Sequence, residues 1–447
     1  MDNKNTKKHD MVFWAHGHNE TERYLPVVVA LKGQGLNILL FYQNYDLRDG
    51  LPSAQLKIID RYEIEAIDYS YFLRKDLSLR AATLFISLFR DIIRVEFLCN
   101  KFRGLRSKLI RRRMTEDFIK KMVIRLNPKI SIFDNICLTD YTDYPYGSYF
   151  IRKVSRDLGI KTLCLYHGNT GHLLEIKVDG KKRLDFEKIY APNEYEKRYT
   201  QAICTDENRG VLALGDPRFD ITWKKELKDL FSDEIKTKIE SMQIGSKIKI
   251  LYICPNLEHI NMEDVKYKNL DDIARLSREL GNAALLVKPH PRYRNEAKIR
   301  RVMKKNKFRD FFILEDEPLL CYIDYIDFMI SVTSSAIQDV LPKGRSKVII
   351  YDNFSEAKGM TNIFKDDFYY FNRYEKLFDF LKNKIAPKGL ALSSKDDDRN
   401  ILDFCKRWVS AGKELDTAIS DITQDMLQEL QDIKGGRDEF KEEVKKA

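Results

Sequence analysis

The sequence carries two polar clusters that could hold a phosphate, and each follows a short apolar run. Lys288-Pro289-His290-Pro291 comes after the run 283–287, and Thr333-Ser334-Ser335 comes after the run 328–331. Proline on both sides of a histidine blocks helix formation, so the imidazole is presented on a stiff loop. A lysine, a histidine and hydroxyls suit an anionic leaving group such as a nucleotide phosphate. We therefore predict nucleotide binding by five side chains, Lys288, His290, Thr333, Ser334 and Ser335.

Both clusters also have simpler explanations. Proline marks ordinary surface turns, and Ser334 or Ser335 would cap a helix that begins at Ala336. The two roles are compatible, because a helix N-terminus is itself an anion site. Asp339 lies one turn along that helix, where its carboxylate could reach a ribose hydroxyl. Asn256 follows another apolar run and is expected to form a third wall of the same site.

Transfer to a hydroxyl acceptor requires a general base, and the first half of the chain supplies three candidates. His167 is the first choice, because the adjacent Gly168 lets a ligand approach closely. Asp134 and Glu20 are the reserves, since each follows a separate apolar run. A capping or core-satisfied polar group is the simpler role for any one of them.

The elements that must position these residues are short apolar runs alternating with helical periods, which is the pattern of parallel α/β sheets. In the first half we predict strands near 11–15, 37–42, 129–134, 161–166, 188–191 and 211–214. The pattern restarts with strands near 248–254, 283–287, 311–314, 328–331 and 347–351. In such sheets ligands bind beyond the carboxyl ends of the strands, where the polar clusters lie. Two Rossmann-like halves in tandem are therefore expected.

Changes in composition suggest the boundaries of the domains. We predict an N-terminal Rossmann-like acceptor domain over 1–222 with a helical basic insertion at 77–125, a linker helix over 223–245, a C-terminal Rossmann-like nucleotide-donor domain over 246–390, a closing helix over 391–412 and an amphipathic helical tail over 413–447. Apolar residues recur in the tail at spacings of three and four, and Gly435-Gly436 is expected to end its helix. Self-association, packing on the body and linkage to a further domain all remain open for it.

Charge is unevenly spread over the chain, whose formal net charge is +10. The tail 413–447 carries ten acids against six bases, whereas 101–114 carries seven Lys or Arg and no acid. The basic run is either a solvated helix face or a contact with anionic lipid or a lipid-linked acceptor through 101–113. The seven cysteines are scattered, and Met1 to Asp10 is too polar for a secretory signal. We expect a cytoplasmic location, extended to the inner face of the membrane if the basic run contacts lipid.

Motifs for other chemistries are missing from the sequence. It has no Gly-x-x-x-x-Gly-Lys phosphate loop and no cysteine or histidine cluster with zinc spacing. Asp396-Asp397-Asp398 matches an Asp-x-Asp metal motif but lies past the last predicted strand, so it is interpreted as a solvated turn. We therefore expect neither a metal nor a cofactor, with a nucleotide-activated donor as a substrate.

The two phosphate clusters resemble motifs of GT-B glycosyltransferases that build bacterial surface polysaccharides. Sialyl-, polysialyl- and β-Kdo transferases carry a His-Pro motif and a Ser/Thr-rich motif in their C-terminal half, similar to Lys288-Pro289-His290-Pro291 and Thr333-Ser334-Ser335. The resemblance implies a GT-B fold, with two Rossmann-like domains facing a cleft and C-terminal helices. It also implies that His290 and the serines bind the phosphate of CMP in an inverting, metal-independent reaction.

A second group, the CDP-glycerol glycerophosphotransferases of teichoic-acid synthesis, is similar at three places. These are His167-Gly168, Ser334-Ser335 and the stretch Gly215-Asp216-Pro217-Arg218-Phe219-Asp220. The Asp-Tyr that precedes the serines in that group is replaced by Val332-Thr333, which favours the CMP-sugar group.

The sequence thus predicts an inverting glycosyltransferase that moves a Kdo- or sialic-acid-type sugar from a CMP-activated donor to a surface glycan or lipid-linked acceptor. Three alternatives stay open: a CDP-glycerol glycerophosphotransferase, a UDP-sugar 2-epimerase, and a non-catalytic nucleic-acid-binding or scaffold protein. The last is the least favoured, because it would leave the polar clusters without a role, so no nucleic-acid partner is expected.

Overall fold

The computed structural model divides the chain into two compact units. Unit 1 comprises Met1–Asp220 and Ser410–Ala447, and unit 2 comprises Ile221–Val409. The structure describes residues 8–44, 47–74, 76–89, 96–134, 148–166, 186–203, 210–254, 263–290, 296–332, 337–340, 348–353, 368–385 and 404–446.

Unit 1 is built on a seven-stranded sheet in which neighbouring strands are parallel. The strands are β1 His9–Ala15, β2 Ile38–Tyr42, β3 Glu65–Asp68, β4 Pro128–Phe133, β5 Lys161–Leu165, β6 Lys188–Ala191 and β7 Gly210–Ala213. Their order across the sheet is β3-β2-β1-β4-β5-β6-β7, so the chain winds outwards in opposite directions from β1 and β4. The central strands are almost continuously apolar and buried, as expected for a parallel sheet covered on both faces.

Helices connect these strands. They are α1 His18–Gly33, α2 Leu47–Gly50, α3 Ser53–Arg61, α4 Tyr69–Leu73, α5 Leu77–Ser87, α6 Glu96–Arg113, α7 Glu116–Leu126, α8 Ser148–Asp157 and α9 Glu194–Ile203. The stretch predicted as a helical basic insertion therefore contains α5, α6 and α7. Side-chain caps fix where two of them begin. Asp76 accepts hydrogen bonds from the amides of Ser78 and Leu79 at the start of α5, and Thr115 accepts one from the amide of Phe118 in α7.

Unit 2 is built on a six-stranded parallel sheet. Its strands are β8 Ile248–Ile253, β9 Ala283–Lys288, β10 Phe311–Ile313, β11 Phe328–Ser331, β12 Val348–Tyr351 and β13 Tyr369–Phe371, in the order β10-β9-β8-β11-β12-β13. Its helices are α10 Ile221–Ser241, α11 Glu263–Glu279, α12 Glu296–Lys305, α13 Ile337–Val340, α14 Tyr374–Ile385 and the 3₁₀ helix Leu319–Tyr325. The prediction of two Rossmann-like parallel α/β domains is confirmed.

The helix predicted as a linker is part of unit 2. Within α10, Trp223, Leu227, Phe231 and Ile235 are buried at helical spacing, and this face packs on the 3₁₀ helix Leu319–Tyr325. Of the predicted closing helix, 391–403 lies outside the described residues, and 404–408 is helical.

The tail forms one long helix, α15 Ala418–Lys446, which packs on α1 and β4 of unit 1. Ile422, Met426 and Leu430 are buried at its interface. Beside them, Asp425 accepts hydrogen bonds from Lys188 (2.8 Å) and the Tyr190 hydroxyl (2.8 Å), and Glu429 pairs with both Lys161 and Lys188. The prediction that Gly435-Gly436 ends the helix is wrong, because the helix continues through both glycines. Two glycines cost a helix roughly 2 kcal/mol, which lowers its stability without setting its end.

Candidate functional site

The carboxyl ends of the unit 2 strands form one continuous edge. Ile253 of β8 pairs with Lys288 of β9 on one side and with Ser331 of β11 on the other, and Ser331 pairs with Ile350 of β12. The loop that carries His290 and the loop that follows β11 therefore leave the sheet at the same level. Since neighbouring strands lie about 4.8 Å apart, the two exits are separated by roughly 10 Å, with the end of β8 between them.

This edge contains the point where the strand order reverses. Unit 2 has the order in which the first and fourth strands, β8 and β11, are neighbours and the chain winds away from both. Loops leaving two such strands diverge and open a crevice, where doubly wound sheets bind ligands. Of the strands that precede the two predicted phosphate clusters, β11 lies at the switch point of unit 2 and β9 lies next to it.

The structure describes three of the seven residues predicted for the nucleotide site, Lys288, His290 and Asp339. Pro289 is buried and His290 is half-buried directly after β9. Asp339 is half-buried in the short helix α13. Thr333, Ser334, Ser335 and Asn256 lie outside the described residues, so their predicted roles stay predictions.

Lys288 contacts protein backbone. Its ammonium group donates to the carbonyl oxygens of Glu315 and Glu317, the latter at 2.8 Å. These carbonyls belong to the segment that follows β10, the strand next to β9. Lys288 therefore ties the start of the His290 loop to the neighbouring strand end, whereas the sequence predicts it as a phosphate ligand.

Glu317 anchors the segment that Lys288 holds. It is buried, and its carboxylate accepts hydrogen bonds from Lys238 of α10 (2.6 Å) and from the Tyr322 hydroxyl (2.9 Å). Burial alone would raise the pKa of Glu317, but the Lys238 ammonium holds that pKa below its ordinary value. Burial and the adjacent Glu317 raise the pKa of Tyr322 far above its usual range, so this phenol stays a hydrogen-bond donor.

A second polar group on the same edge was not predicted from the sequence. Asp272 of α11 accepts hydrogen bonds from the Tyr351 hydroxyl and the Asn353 side chain, both at 2.6 Å. Asn269, one turn earlier, donates to the Tyr351 carbonyl at 3.3 Å. Burial and the carboxylate raise the pKa of Tyr351. This cluster fixes α11 against the end of β12, and the pairing of a helical acid with a distant strand has no local sequence signal.

Unit 1 has an equivalent edge at the switch point between β1 and β4. Glu20 lies in the first turn of α1, directly after β1, and Asp134 directly follows β4. Both carboxylates are buried. The Glu20 carboxylate lies against Gly17, since a Cβ atom added at Gly17 would be 3.1 Å from Glu20 Oε2. The two reserve bases thus follow neighbouring strands, while His167 lies outside the described residues.

The stretch Gly215–Asp220 connects three parts of unit 1. The Asp216 carboxylate forms an ion pair with the guanidinium of Arg23 in α1 (3.3 Å). It also caps the 3₁₀ helix Pro217–Phe219 by accepting a hydrogen bond from the amide of Arg218 (3.1 Å). Asp220 accepts from the amide of Ile419 at the start of α15 (3.1 Å). In this chain the motif therefore has a structural role, and its contacts explain why two acids and an arginine are buried together.

Among the described residues, no group of three or more His, Cys, Asp or Glu side chains is arranged to hold a metal ion. None of the helices that the structure describes combines the length and apolar composition that crossing a bilayer requires.

Comparison with known proteins gives one partial family match and several structures with the same fold. Residues 165–339, less than half of the chain, match the model of the CDP-glycerol:poly(glycerophosphate) glycerophosphotransferase family. No curated protein sequence matches the chain. The UDP-GlcNAc 2-epimerase of Neisseria meningitidis, solved bound to UDP-GlcNAc, is similar with a TM-score of 0.56 and 12% identity over 94% of this chain and 100% of that one.

Two transferase structures are similar to a comparable degree. The wall teichoic acid polymerase TagF has a TM-score of 0.54 and 14% identity over 94% of this chain and 89% of that one. A glycosyltransferase from Rickettsia africae has a TM-score of 0.51 and 13% identity over 94% and 99%. At these identities the likeness establishes the fold, which is of the GT-B type.

Proposed function

We propose that this protein is a GT-B-type transferase that moves glycerol phosphate from CDP-glycerol to a hydroxyl group of a glycerophosphate polymer. The family match over residues 165–339 carries the proposal, because that range holds His167-Gly168, the His290 loop and Ser334-Ser335. The topology supports it, since the loops with His290 and the serines leave strands that flank β8 at one sheet edge. The specific CMP-sugar donor predicted from the sequence becomes the second candidate.

The reaction is a displacement at phosphorus. The acceptor oxygen attacks the phosphorus that bears glycerol, the bond from this phosphorus to the oxygen of CMP breaks, and CMP leaves with the electron pair. His290, Ser334 and Ser335 stabilise the charge that develops on CMP, as preorganised donors do at a leaving group. The acceptor proton passes to a base, with His167 as the first choice and Asp134 and Glu20 as reserves. No metal and no cofactor takes part.

Lys288 is a positioning residue in this proposal. Its ammonium already donates to two backbone carbonyls, so it acts by holding the His290 loop on the end of β10. Asp339 and Asn256 remain candidates for contacts with the ribose and the nucleobase of the donor.

A CMP-activated sugar is the second candidate for the donor, and one observation favours it. Val332-Thr333 stands where CDP-glycerol transferases have Asp-Tyr, directly before the serines. Both donors release CMP, so the same phosphate site serves either reaction.

The test is a donor screen with the full chain. CDP-glycerol is supplied with a short glycerophosphate polymer, CMP-Kdo and CMP-sialic acid with glycan acceptors, and UDP-GlcNAc without an acceptor. We expect CDP-glycerol to be the only one of these donors that gives CMP release and polymer extension. Sugar transfer from a CMP donor would instead establish the second candidate, and epimerisation of UDP-GlcNAc would refute transfer as the activity.

A variant pair tests the site itself. His290→Ala is expected to lower turnover by about a hundredfold to a thousandfold, the usual effect of removing one donor from a charge-stabilising site. The control is Arg309→Ala, an exposed residue before β10 at the opposite edge of the same sheet. Equal turnover by folded His290→Ala and Arg309→Ala would remove His290 from the mechanism.

A further inference from the structure

α5 is apolar on two faces, and one of them is exposed. Its inner face, formed by Leu79, Ala82 and Ile86, is buried in unit 1. On its outer face, Leu77 is 75% exposed and Leu84 is 71% exposed. Contiguous apolar side chains that remain exposed on a folded protein commonly mark an interaction site. The outer face of α5 is therefore a surface suited to contact with something apolar.

Aromatic side chains extend this apolar surface from α5 to α6. Phe85, which is 43% exposed, stacks on Phe102 with ring centroids 5.0 Å apart, and Phe89 stacks on the same ring at 5.5 Å. At the other end of the pair, Arg113 of α6 bonds to Asp76 at the start of α5 (2.8 Å). The two helices are thus antiparallel and are fixed to each other at both ends.

α6 adds a stripe of positive charge. Lys101, Leu105, Lys108 and Arg112 are spaced four, three and four residues apart, which places them on one face of the helix, and all four are exposed. Residues 77–89 and 101–113 together contain eight Lys or Arg and no Asp or Glu. Within these two ranges every exposed charged side chain is therefore positive, and the exposed leucines lie among them.

We infer that the exposed faces of α5 and α6 bind the surface of an anionic lipid bilayer. Interfacial helices insert apolar side chains at the boundary between headgroups and acyl chains, while their Lys and Arg side chains bind anionic headgroups. A bilayer satisfies the leucines and the cations together. A second copy of this chain would bring the same positive faces together, because a symmetric dimer interface uses one patch on both subunits. α5, with 11 residues, is too short to cross the bilayer and lies on it.

From the sequence, lipid contact is one of the roles considered for the basic run 101–113 alone. The structure adds the apolar face of α5, so binding needs both the hydrophobic contact and the charge. This lipid binding does not depend on the proposed transfer reaction, since the surface lies in unit 1 and the test requires no donor or acceptor.

The experiment is co-sedimentation of the full chain with lipid vesicles at low salt. One set of vesicles is phosphatidylcholine alone, and the other contains equal parts of phosphatidylglycerol and phosphatidylcholine. We expect binding to the anionic vesicles and much weaker binding to the neutral ones, with the difference reduced by salt. The double variant Lys101→Gln/Lys108→Gln is expected to bind anionic vesicles roughly thirtyfold more weakly, since each cation near such a surface contributes a factor of about five. Leu84→Ser is expected to lose about tenfold.

Matched controls separate this surface from general charge and hydrophobicity. Lys225→Gln/Lys236→Gln removes two exposed cations from α10 of unit 2, and Ile124→Ser removes a side chain that is 49% exposed on α7. Each control is expected to change vesicle binding by less than about twofold. The inference is overturned if the full chain binds neither vesicle, or if controls and test variants lose binding equally. It is also overturned if sedimentation velocity shows self-association that Leu84→Ser abolishes while no vesicle is bound.

Discussion

The Glu317→Gln variant tests how the His290 loop is held in place. The substitution keeps the volume of the side chain and removes the charge that pairs with Lys238 at 2.6 Å. Hydrogen bonds to charged groups contribute about 1.5–3 kcal/mol. Part of this is recovered, because glutamine still accepts a hydrogen bond and Glu315 also contacts Lys238 at 3.1 Å. We therefore expect the opening free energy of β9 and β10 to fall by about 2 kcal/mol.

Glu315→Gln is the matched control for this variant. Glu315 contacts the same lysine, but its side chain is 74% exposed, so its pair is screened by solvent. Exposed pairs contribute less than about 1 kcal/mol, and the control is expected to change the opening free energy by less than about 0.5 kcal/mol. Hydrogen exchange read by mass spectrometry measures both variants, because it follows the peptides of β9 and β10 separately from unit 1.

The pH dependence gives the same variant a second readout. The pKa of Glu317 is lower in the folded protein than its ordinary value. Such a carboxyl stabilises the fold above its unfolded pKa of about 4.3, and this stabilisation is lost as the pH falls through the lower folded pKa. The difference between wild type and Glu317→Gln should therefore be full at neutral pH and shrink below about pH 4.3. Equal effects of the two variants, or a difference that is independent of pH, would refute the network as the anchor of the loop.

Three further predictions concern unit 1 and the reaction. Met426→Ala should destabilise unit 1 by about 3 kcal/mol in calorimetry, because Met426 is fully buried. Gln424→Ala, on the exposed side of α15, is the control and should have little effect. Equal melting temperatures of the two variants would contradict packing of the tail helix on unit 1. Asp76→Asn should speed hydrogen exchange in α5, because hydrogen bonds from Ser78 and Arg113 hold the pKa of Asp76 at about 2. The stabilisation by this carboxylate is therefore present above the ordinary pKa of 3.8 and is lost as the pH falls through about 2. Asp117→Asn, which breaks an exposed pair with Lys121, is the control and should leave α5 exchange unchanged. CMP release should persist in the presence of a chelator such as EDTA, and a loss that added Mg²⁺ restores would contradict a metal-independent reaction.

The sheets were largely predictable, because buried parallel strands are continuous apolar runs. Two strands were missed, and both lie at sheet edges. β3, Glu65–Asp68, contains two acids in four residues, and β13, Tyr369–Phe371, is only three residues long. An edge strand is hydrogen-bonded on one side and partly exposed, so it needs no long apolar run. Pattern alone therefore finds central strands more readily than the strands that end a sheet.

The candidate site was predictable only as far as strand ends mark it. The sequence places His290, Asp134 and Glu20 after apolar runs, and the structure puts each at the carboxyl edge of a sheet, at or beside its switch point. Long-range partners were not predictable. Lys288 contacts carbonyls 27 and 29 residues away, and Asp272 contacts Tyr351 at a separation of 79. Such contacts follow from the order of strands in the sheet, which local patterns do not specify.

The most direct test of the central claim is calorimetric titration of the protein with CDP and CMP. The claim is that the carboxyl edge of unit 2 holds the phosphates of a cytidine nucleotide through His290. We expect both nucleotides to bind wild type and Arg309→Ala equally, and to bind His290→Ala about tenfold to a hundredfold more weakly, which is the loss of one charge-assisted hydrogen bond. Unchanged affinity in a folded His290→Ala protein, or no binding of either nucleotide to wild type, would contradict the claim.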